Sequence, residues 1–181
     1  YALARDIELV VVDGARRFGN GCLLPMGPLR EPTTRLKRVD AIICNGGEPA
    51  RGEYAMRLVP DTLRRVCDDA PLTAPLSGPV DALAGIGHPP RFFATLTALG
   101  YELVQSVGYG DHQAFDAAEL LARFGQRPLL MTEKDAVKCR PFAPDNWWYL
   151  PVSAELPDAL GEALLRTLGP QPGRGDGHQA P

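Results

Sequence analysis

Nothing in this 181-residue chain approaches the ~20 consecutive apolar residues that span a bilayer, so no transmembrane helix is expected. Positive charge is not in excess: 19 Lys and Arg against 22 Asp and Glu leave −3 at pH 7. That balance gives no electrostatic case for a nucleic-acid partner. Cys22, Cys44, Cys67 and Cys139 form no CxxC pair and no metal-ligand spacing, and they read as reduced thiols of a cytosolic protein. No metal site is expected in this stretch. There is no internal repeat and no signal peptide. The chain opens at Tyr1 without a methionine and a strand follows almost at once, which reads as a fragment whose upstream part is missing. What is present is ordinary for a folded domain: 45% apolar and 23% charged residues allow a core.

The stretch Gly19–Arg30, GNGCLLPMGPLR, follows a run at Ile7–Val12 that reads as a parallel-sheet strand covered on both faces and ending at Asp13-Gly14. Gly21, Pro25, Gly27 and Pro28 fix turns and exclude regular structure there. The loop ends in the pair Arg30-Glu31. Loops at the carboxyl ends of strands are where open α/β sheets bind ligands, and an arginine there is a natural fork for phosphate oxygens. An ion-pairing arginine on a surface loop is the plainer alternative. A helix is expected from Pro32 to Val39 and a strand at Ala41–Cys44, closed by Asn45-Gly46-Gly47. This βαβ order favours a parallel sheet.

Tyr54–Val59 alternates and Thr62–Cys67 is expected to pair with it across Pro60-Asp61, so that residues 51–78 form an extended, two-stranded connector. A second α/β unit over 79–169 follows. It starts with a strand at Val80–Ala84, a helix from Pro90 to Leu99 stopped by Gly100, and a strand at Glu102–Val107. A helix at Phe115–Phe124, a strand at Leu129–Met131, a single strand at Trp147–Val152 and a helix at Leu156–Leu168 complete it. Residues 170–181 read as a disordered tail.

Chemistry has several candidate seats. Gly85-x-Gly87, between a strand and a helix, is a partial match to a nucleotide-binding turn, with Pro90 where a third glycine belongs; a tight turn with no ligand explains it equally well. His112, after a Gly-Tyr-Gly turn at a strand end, could accept a proton at neutral pH or simply bond locally. His88 competes but sits beside prolines, and His178 lies in the tail. Thr132 to Asp135 is a capping box, and its Lys134, with Lys138 one turn on, could face a phosphate or only solvent. Trp147 and Trp148 read as packing residues.

Taken together, VVVDGARRFGNGCLLPMGPLRE, AGIGHPPRFFATL, DHQAF, MTEKDAVKC and WWYLPV resemble the tetraacyldisaccharide 4′-kinase family across roughly Tyr1 to Gly169. The resemblance implies an α/β fold: a P-loop-kinase-like parallel sheet, of which residues 1–50 are the C-terminal part, and a second smaller α/β/α domain, joined by a two-stranded linker. It implies ATP and Mg²⁺ as cofactors, a lipid disaccharide as substrate, and a peripheral position on the cytosolic face of the bacterial inner membrane. It makes His112, working with a carboxylate, the general base on the 4′-hydroxyl and places Arg30 and Glu31 at the active-site cleft; Gly85, Gly87 and Lys134 stay candidates for the nucleotide side on their own local patterns. The family's GxxxxGK[ST] loop and its acidic pair for Mg²⁺ do not occur in this chain, which is therefore expected to be inactive alone. A non-catalytic α/β nucleotide-binding module is the competing reading. An unrelated oxidoreductase would rest on Gly85-x-Gly87 alone.

Overall fold

The structure, a computed structural model, describes residues 5–110 and 114–169. Its strands are β1 (Leu9–Asp13), β2 (Ala41–Asn45), β3 (Glu53–Pro60), β4 (Arg64–Arg65), β5 (Val80–Ala84), β6 (Leu103–Gly108), β7 (Leu129–Thr132), β8 (Trp147–Leu150) and β9 (Val152–Glu155). Its α-helices are α1 (Pro89–Ala98), α2 (Ala117–Phe124), α3 (Glu133–Cys139) and α4 (Asp158–Leu168). The described residues fall into two compact units: those up to Val59 with those from Ala154 on, and Pro60–Ser153. Among the described residues no helix is long and apolar enough to cross a membrane.

The first unit is a four-stranded sheet in the order β1-β2-β3-β9. The first three strands are parallel, and Asp13 pairs with Asn45, so the loops that follow β1 and β2 leave the sheet at one level. α4 covers this sheet: Leu160 is buried with Ala41 and Ile43, and Tyr54, Met56 and Leu164 flank them. Burying one such leucine contributes about 1.5–3 kcal/mol. Residues 154–169 thus group with the first sheet, whereas the sequence reading keeps them with 79–169. β1 also differs from expectation. It is the edge strand of this sheet, and Leu9 and Val11 are 42% and 56% exposed, so only one face of the β-branched run packs.

The expected helix after Pro32 is a short 3₁₀ helix, Thr33–Arg38, with no buried residue. It has no apolar stripe to hold a longer α-helix against the sheet. Residues 54–59 and 62–67 do not pair with each other. β3 lies between β2 and β9, and the two-residue β4 pairs antiparallel with β8. The run 147–152 is not one strand either: Pro151, which has no N–H to give, separates β8 from β9, and the two strands belong to different sheets.

The second unit is a sheet in the order β4-β8-β7-β5-β6, with β5 to β8 parallel and helices on both faces. The period of two along β5 decides which layer each residue joins. Val80, Ala82 and Ala84 pack with Phe92 and Leu96 of α1. Leu83 points the other way, into a core with Leu120 and Phe124 of α2 and Cys139 of α3. Gly100 stops α1 as expected, at φ 93, and Asp116 caps α2 by accepting from Glu119 N at 2.8 Å.

Candidate functional site

At the carboxyl end of β1 the chain turns on Asp13, whose Oδ1 accepts from Ala15 N at 3.0 Å and Arg16 N at 2.9 Å. The loops after β1 and β2 interlock: a Cβ on Gly14 would lie 1.5 Å from the Gly46 carbonyl oxygen, a contact that only glycine permits. Arg17 sits at φ 48, a left-handed conformation that costs a residue with a Cβ about 1 kcal/mol. Its guanidinium donates to both oxygens of Glu53, at 2.8 and 2.5 Å, and thereby ties the loop to β3. The Arg17 hydrogen bonds hold the Glu53 carboxyl below the usual carboxylate range, against the opposing effect of burial.

From there the Gly/Pro loop closes on itself. Leu24 N donates to Leu29 O at 2.8 Å, Leu29 N to Cys22 O at 3.2 Å and Gly27 N to Leu23 O at 3.0 Å. Asn20 Nδ2 donates to Met26 O at 2.8 Å. A Cβ on Gly27 would lie 2.2 Å from Asn20 Oδ1, so this glycine is required by a close approach. The Leu24–Pro25 peptide is cis. The returning strand of the loop delivers Arg30 and Glu31 to the wall of a cavity of about 280 Å³ that Phe18, Leu29, Thr33 and Arg35 also line. Arg35 bridges Glu31, at 3.3 Å, and Glu8. The bond to Arg35 keeps the Glu8 carboxyl low. The arrangement is a partly apolar recess with one arginine held by carboxylates and a second, Arg30, exposed beside it. It suits an anionic group attached to an apolar body.

Arg30 and Glu31, which the sequence reading places together, therefore share one cavity. Gly85, Gly87 and Lys134 belong to the other unit. His112 lies outside the described residues.

In that second unit, α1 follows β5 on one face of the sheet and α3 follows β7 on the other. The ends of these adjacent strands make the kind of switch point at which open α/β sheets take ligands. Here the space holds a side chain of the protein. Asp135, fully buried, accepts from Gly85 N at 2.8 Å and from the Thr132 hydroxyl at 2.6 Å, both on Oδ2. Lys138 Nζ stands 3.6 Å from its Oδ1 and 4.7 Å from the centre of the Phe115 ring. The backbone N–H of Gly85 is thus spent on a carboxylate, and Gly87 and Lys134 are exposed. Thr132 does cap α3, with Asp135 N donating to its oxygen at 3.3 Å. Trp147 is core, edge-on to Phe142.

Sequence reasoning passes over Arg17, Glu53 and the Asp135–Gly85 contact. The first two are 36 residues apart and the last two 50, and no local pattern links them.

The family model described as Tetraacyldisaccharide-1-P 4′-kinase matches residues 1–169. The tetraacyldisaccharide 4′-kinase of Aeromonas hydrophila is 78% identical over 98% of this chain and 53% of its own length. That of Aeromonas salmonicida is 80% identical over 93% of this chain and 51% of its own, and that of Tolumonas auensis 61% over 93% and 51%. The chain spans about half the length of the curated relatives it matches. The crystal structure of LpxK from Aquifex aeolicus, described as an "apo" form in complex with ATP, superposes with a TM-score of 0.64 at 22% identity. It covers 91% of this chain and 53% of that one, and shows a shared α/β fold. On the match that runs from residue 1 to residue 169, this chain belongs to the tetraacyldisaccharide 4′-kinase family.

Proposed function

We propose that this chain, within a full-length protein, takes part in ATP-dependent phosphorylation of the 4′-hydroxyl of a tetraacyldisaccharide 1-phosphate, a step of lipid A synthesis. The observation that carries this reading is the 78% identity to a named 4′-kinase along 98% of the chain. The recess at the end of β1 agrees with it in chemistry, since an exposed guanidinium beside apolar walls suits a phosphorylated lipid sugar. Arg30 and Glu31 are assigned to binding and orienting the substrate. His112 is assigned to accepting the proton of the attacking hydroxyl.

Among the described residues no site for ATP·Mg²⁺ is assembled. Among the described residues no group of three or more His, Cys, Asp or Glu could hold a metal ion, and the Gly85 N–H is occupied by Asp135. The sequence has no GK[ST]. Nucleotide and metal are therefore assigned to parts of the full-length protein beyond this chain. Because the substrate is a lipid, the working place is assigned to a membrane surface, the cytosolic face of the bacterial inner membrane, reached peripherally.

The test is transfer of labelled phosphate from ATP to a detergent-dispersed tetraacyldisaccharide 1-phosphate. The full-length protein, its His112→Ala and Arg30→Ala variants and this chain alone would be compared. Turnover by the full-length protein, a loss of at least ~10²-fold in His112→Ala and none by the chain alone are expected. Full activity in His112→Ala removes the base assignment, and no turnover by a folded full-length protein overturns the kinase reading.

A further inference from the structure

The stretch Phe18–Leu29 carries no charged residue, in a chain that is 23% charged. It forms a closed arch. Its legs touch, since a Cβ on Gly19 would lie 2.8 Å from Pro28 Cγ, and Leu23 bridges to Leu29, with Leu24 N donating to Leu29 O at 2.8 Å. Both feet of the arch, Phe18 and Leu29, line the recess that Arg30 also lines. Higher up, Leu23, Leu24 and Met26 are 44%, 61% and 77% exposed. A single exposed leucine on a folded protein needs no explanation. Three large apolar side chains within four positions, on a loop held by its own hydrogen bonds, do.

The size of the recess bounds what it can take. About 280 Å³ has room for a sugar with its phosphate, and none for four acyl chains besides. A tetraacylated sugar seated at Arg30 must therefore lead its hydrocarbon out over the rim, and the arch stands on that rim through Phe18 and Leu29. The neutrality of the arch selects among occupants. An anionic headgroup or an acidic peptide finds no cation between Phe18 and Leu29 to pair with, whereas hydrocarbon gains from each apolar side chain it covers.

We propose that Leu23, Leu24 and Met26 form the platform on which acyl chains of the substrate lie while the recess at Arg30 holds its sugar end. The proposal rests on the reading of that recess as the seat of a tetraacyldisaccharide 1-phosphate, and adds the residues that recognise its hydrocarbon.

The test compares the full-length protein with two double variants, Leu23→Ser with Leu24→Ser and Leu23→Met with Leu24→Met, by transfer of labelled phosphate from ATP. The acceptor is the tetraacyldisaccharide 1-phosphate, and the same disaccharide stripped of its acyl chains serves as competitor. The serine pair is expected to raise KM for the tetraacyl acceptor about 10-fold with kcat within about twofold, the mark of lost binding rather than lost chemistry. The inhibition constant of the competitor, which has no hydrocarbon to lose, is expected to stay as in the parent. The methionine pair keeps the apolar area and is expected to match the parent throughout. Melting curves check that each variant folds. A competitor weakened by the serine pair as much as the acceptor is shows a disturbed recess and overturns the platform, and so does an unchanged KM. A serine pair that has also lost the parent's binding to substrate-free phosphatidylcholine vesicles shows the arch gripping bilayer instead, and overturns the platform while leaving the kinase reading standing. A folded parent with no turnover overturns both.

Discussion

The carboxylate of Asp135 occupies the space that a side chain at Gly85 would need. A Cβ on Gly85 would lie 2.8 Å from Asp135 Oδ1 and 3.2 Å from the Phe115 ring, while the Gly85 N–H donates to Oδ2 at 2.8 Å. This buried acid takes a backbone N–H and a hydroxyl on Oδ2, while its Oδ1 has no hydrogen-bond partner and faces the Lys138 ammonium at 3.6 Å, and it joins the ends of β5 and β7. The two glycines of Gly85-x-Gly87 therefore have different physical duties.

Gly85→Ala is expected to cost about 1–3 kcal/mol, because the new methyl would press on a buried carboxylate at 2.8 Å and on the Phe115 ring at 3.2 Å. Gly87→Ala, with nothing within 4 Å of its Cβ, is expected to stay within about 0.5 kcal/mol of the parent. Urea denaturation with unchanged slope measures both. Equal stabilities for the two variants would show that the close approach is relieved by a small shift.

Much of the architecture was legible because its signals are local. β5 is a short run, apolar but for Asp81, with Pro79 before it and Gly85 after it, α1 carries Phe92 and Leu96 one turn apart, and Thr132 to Asp135 is a cap spelled in four residues. What was not legible depends on partners far along the chain. An edge strand and a central one are written with the same β-branched residues, so the exposure of Val11 could not be read from Leu9–Asp13. The break at Pro151 is visible as a residue, but not the fact that it hands the chain from one sheet to another. For the site, the Arg30-Glu31 pair stood out by composition, whereas the Arg17–Glu53 bridge that ties down the start of the same loop did not.

That bridge gives a pH dependence. Glu53 has a side chain only 6% exposed and a pKa held below its ordinary 4.5, chiefly by the Arg17 hydrogen bonds. A carboxyl lowered in the folded state contributes stability that is complete above 4.5 and is lost as the pH falls through the lowered folded value. Glu53→Gln keeps the shape and removes the charge. At neutral pH it is expected to cost about 1–3 kcal/mol, since a charged hydrogen-bonded pair is broken on one side only. The gap between parent and variant should then narrow as the pH drops below about 4.5. Glu8, also lowered, is common to both proteins and cancels. Denaturation curves across that range measure it, and a gap that stays constant into acid would refute the assignment.

Asp69 combines an unfavourable backbone with a favourable side chain. Its φ is 64, and its Oδ1 accepts from Tyr149 OH at 2.7 Å and from Arg140 at 2.6 Å. Asp69→Ala loses the bonds and keeps the left-handed strain, whereas Asp69→Gly loses the bonds and relieves it. The glycine variant is expected to be the more stable of the two by about 1 kcal/mol, with both below the parent. Asp69→Asn, which tolerates this backbone and still accepts from Tyr149, is expected to lie closest to the parent. Thermal melts of the three variants order them, and an alanine variant as stable as the glycine would mean that the turn relaxes out of the left-handed region.

The four cysteines, all free thiols, rank themselves by the same arguments. Cys139 is fully buried, and burial, reinforced by the neighbouring Asp135, pushes its thiol up to about 12. Since the thiolate is the reacting form, Cys139 should be inert in the folded protein on two independent counts. Cys44 is buried too, with its thiol donating to Gly46 O at 3.2 Å at the interlocked loops. Cys67 is half-buried, and burial, with the Asp145 carboxylate 3.5 Å away, raises its pKa. Cys22 is half-buried on the Gly/Pro loop. Brief treatment with iodoacetamide at mildly alkaline pH, followed by peptide mass mapping, is expected to label Cys22 first and Cys67 slowly. Cys44 and Cys139 should react only after denaturant is added. Labelling of Cys139 as fast as Cys22 in the native protein would mean that the core between α2, α3 and the second sheet opens readily, and would count against the packing described for Leu120, Phe124 and Trp147.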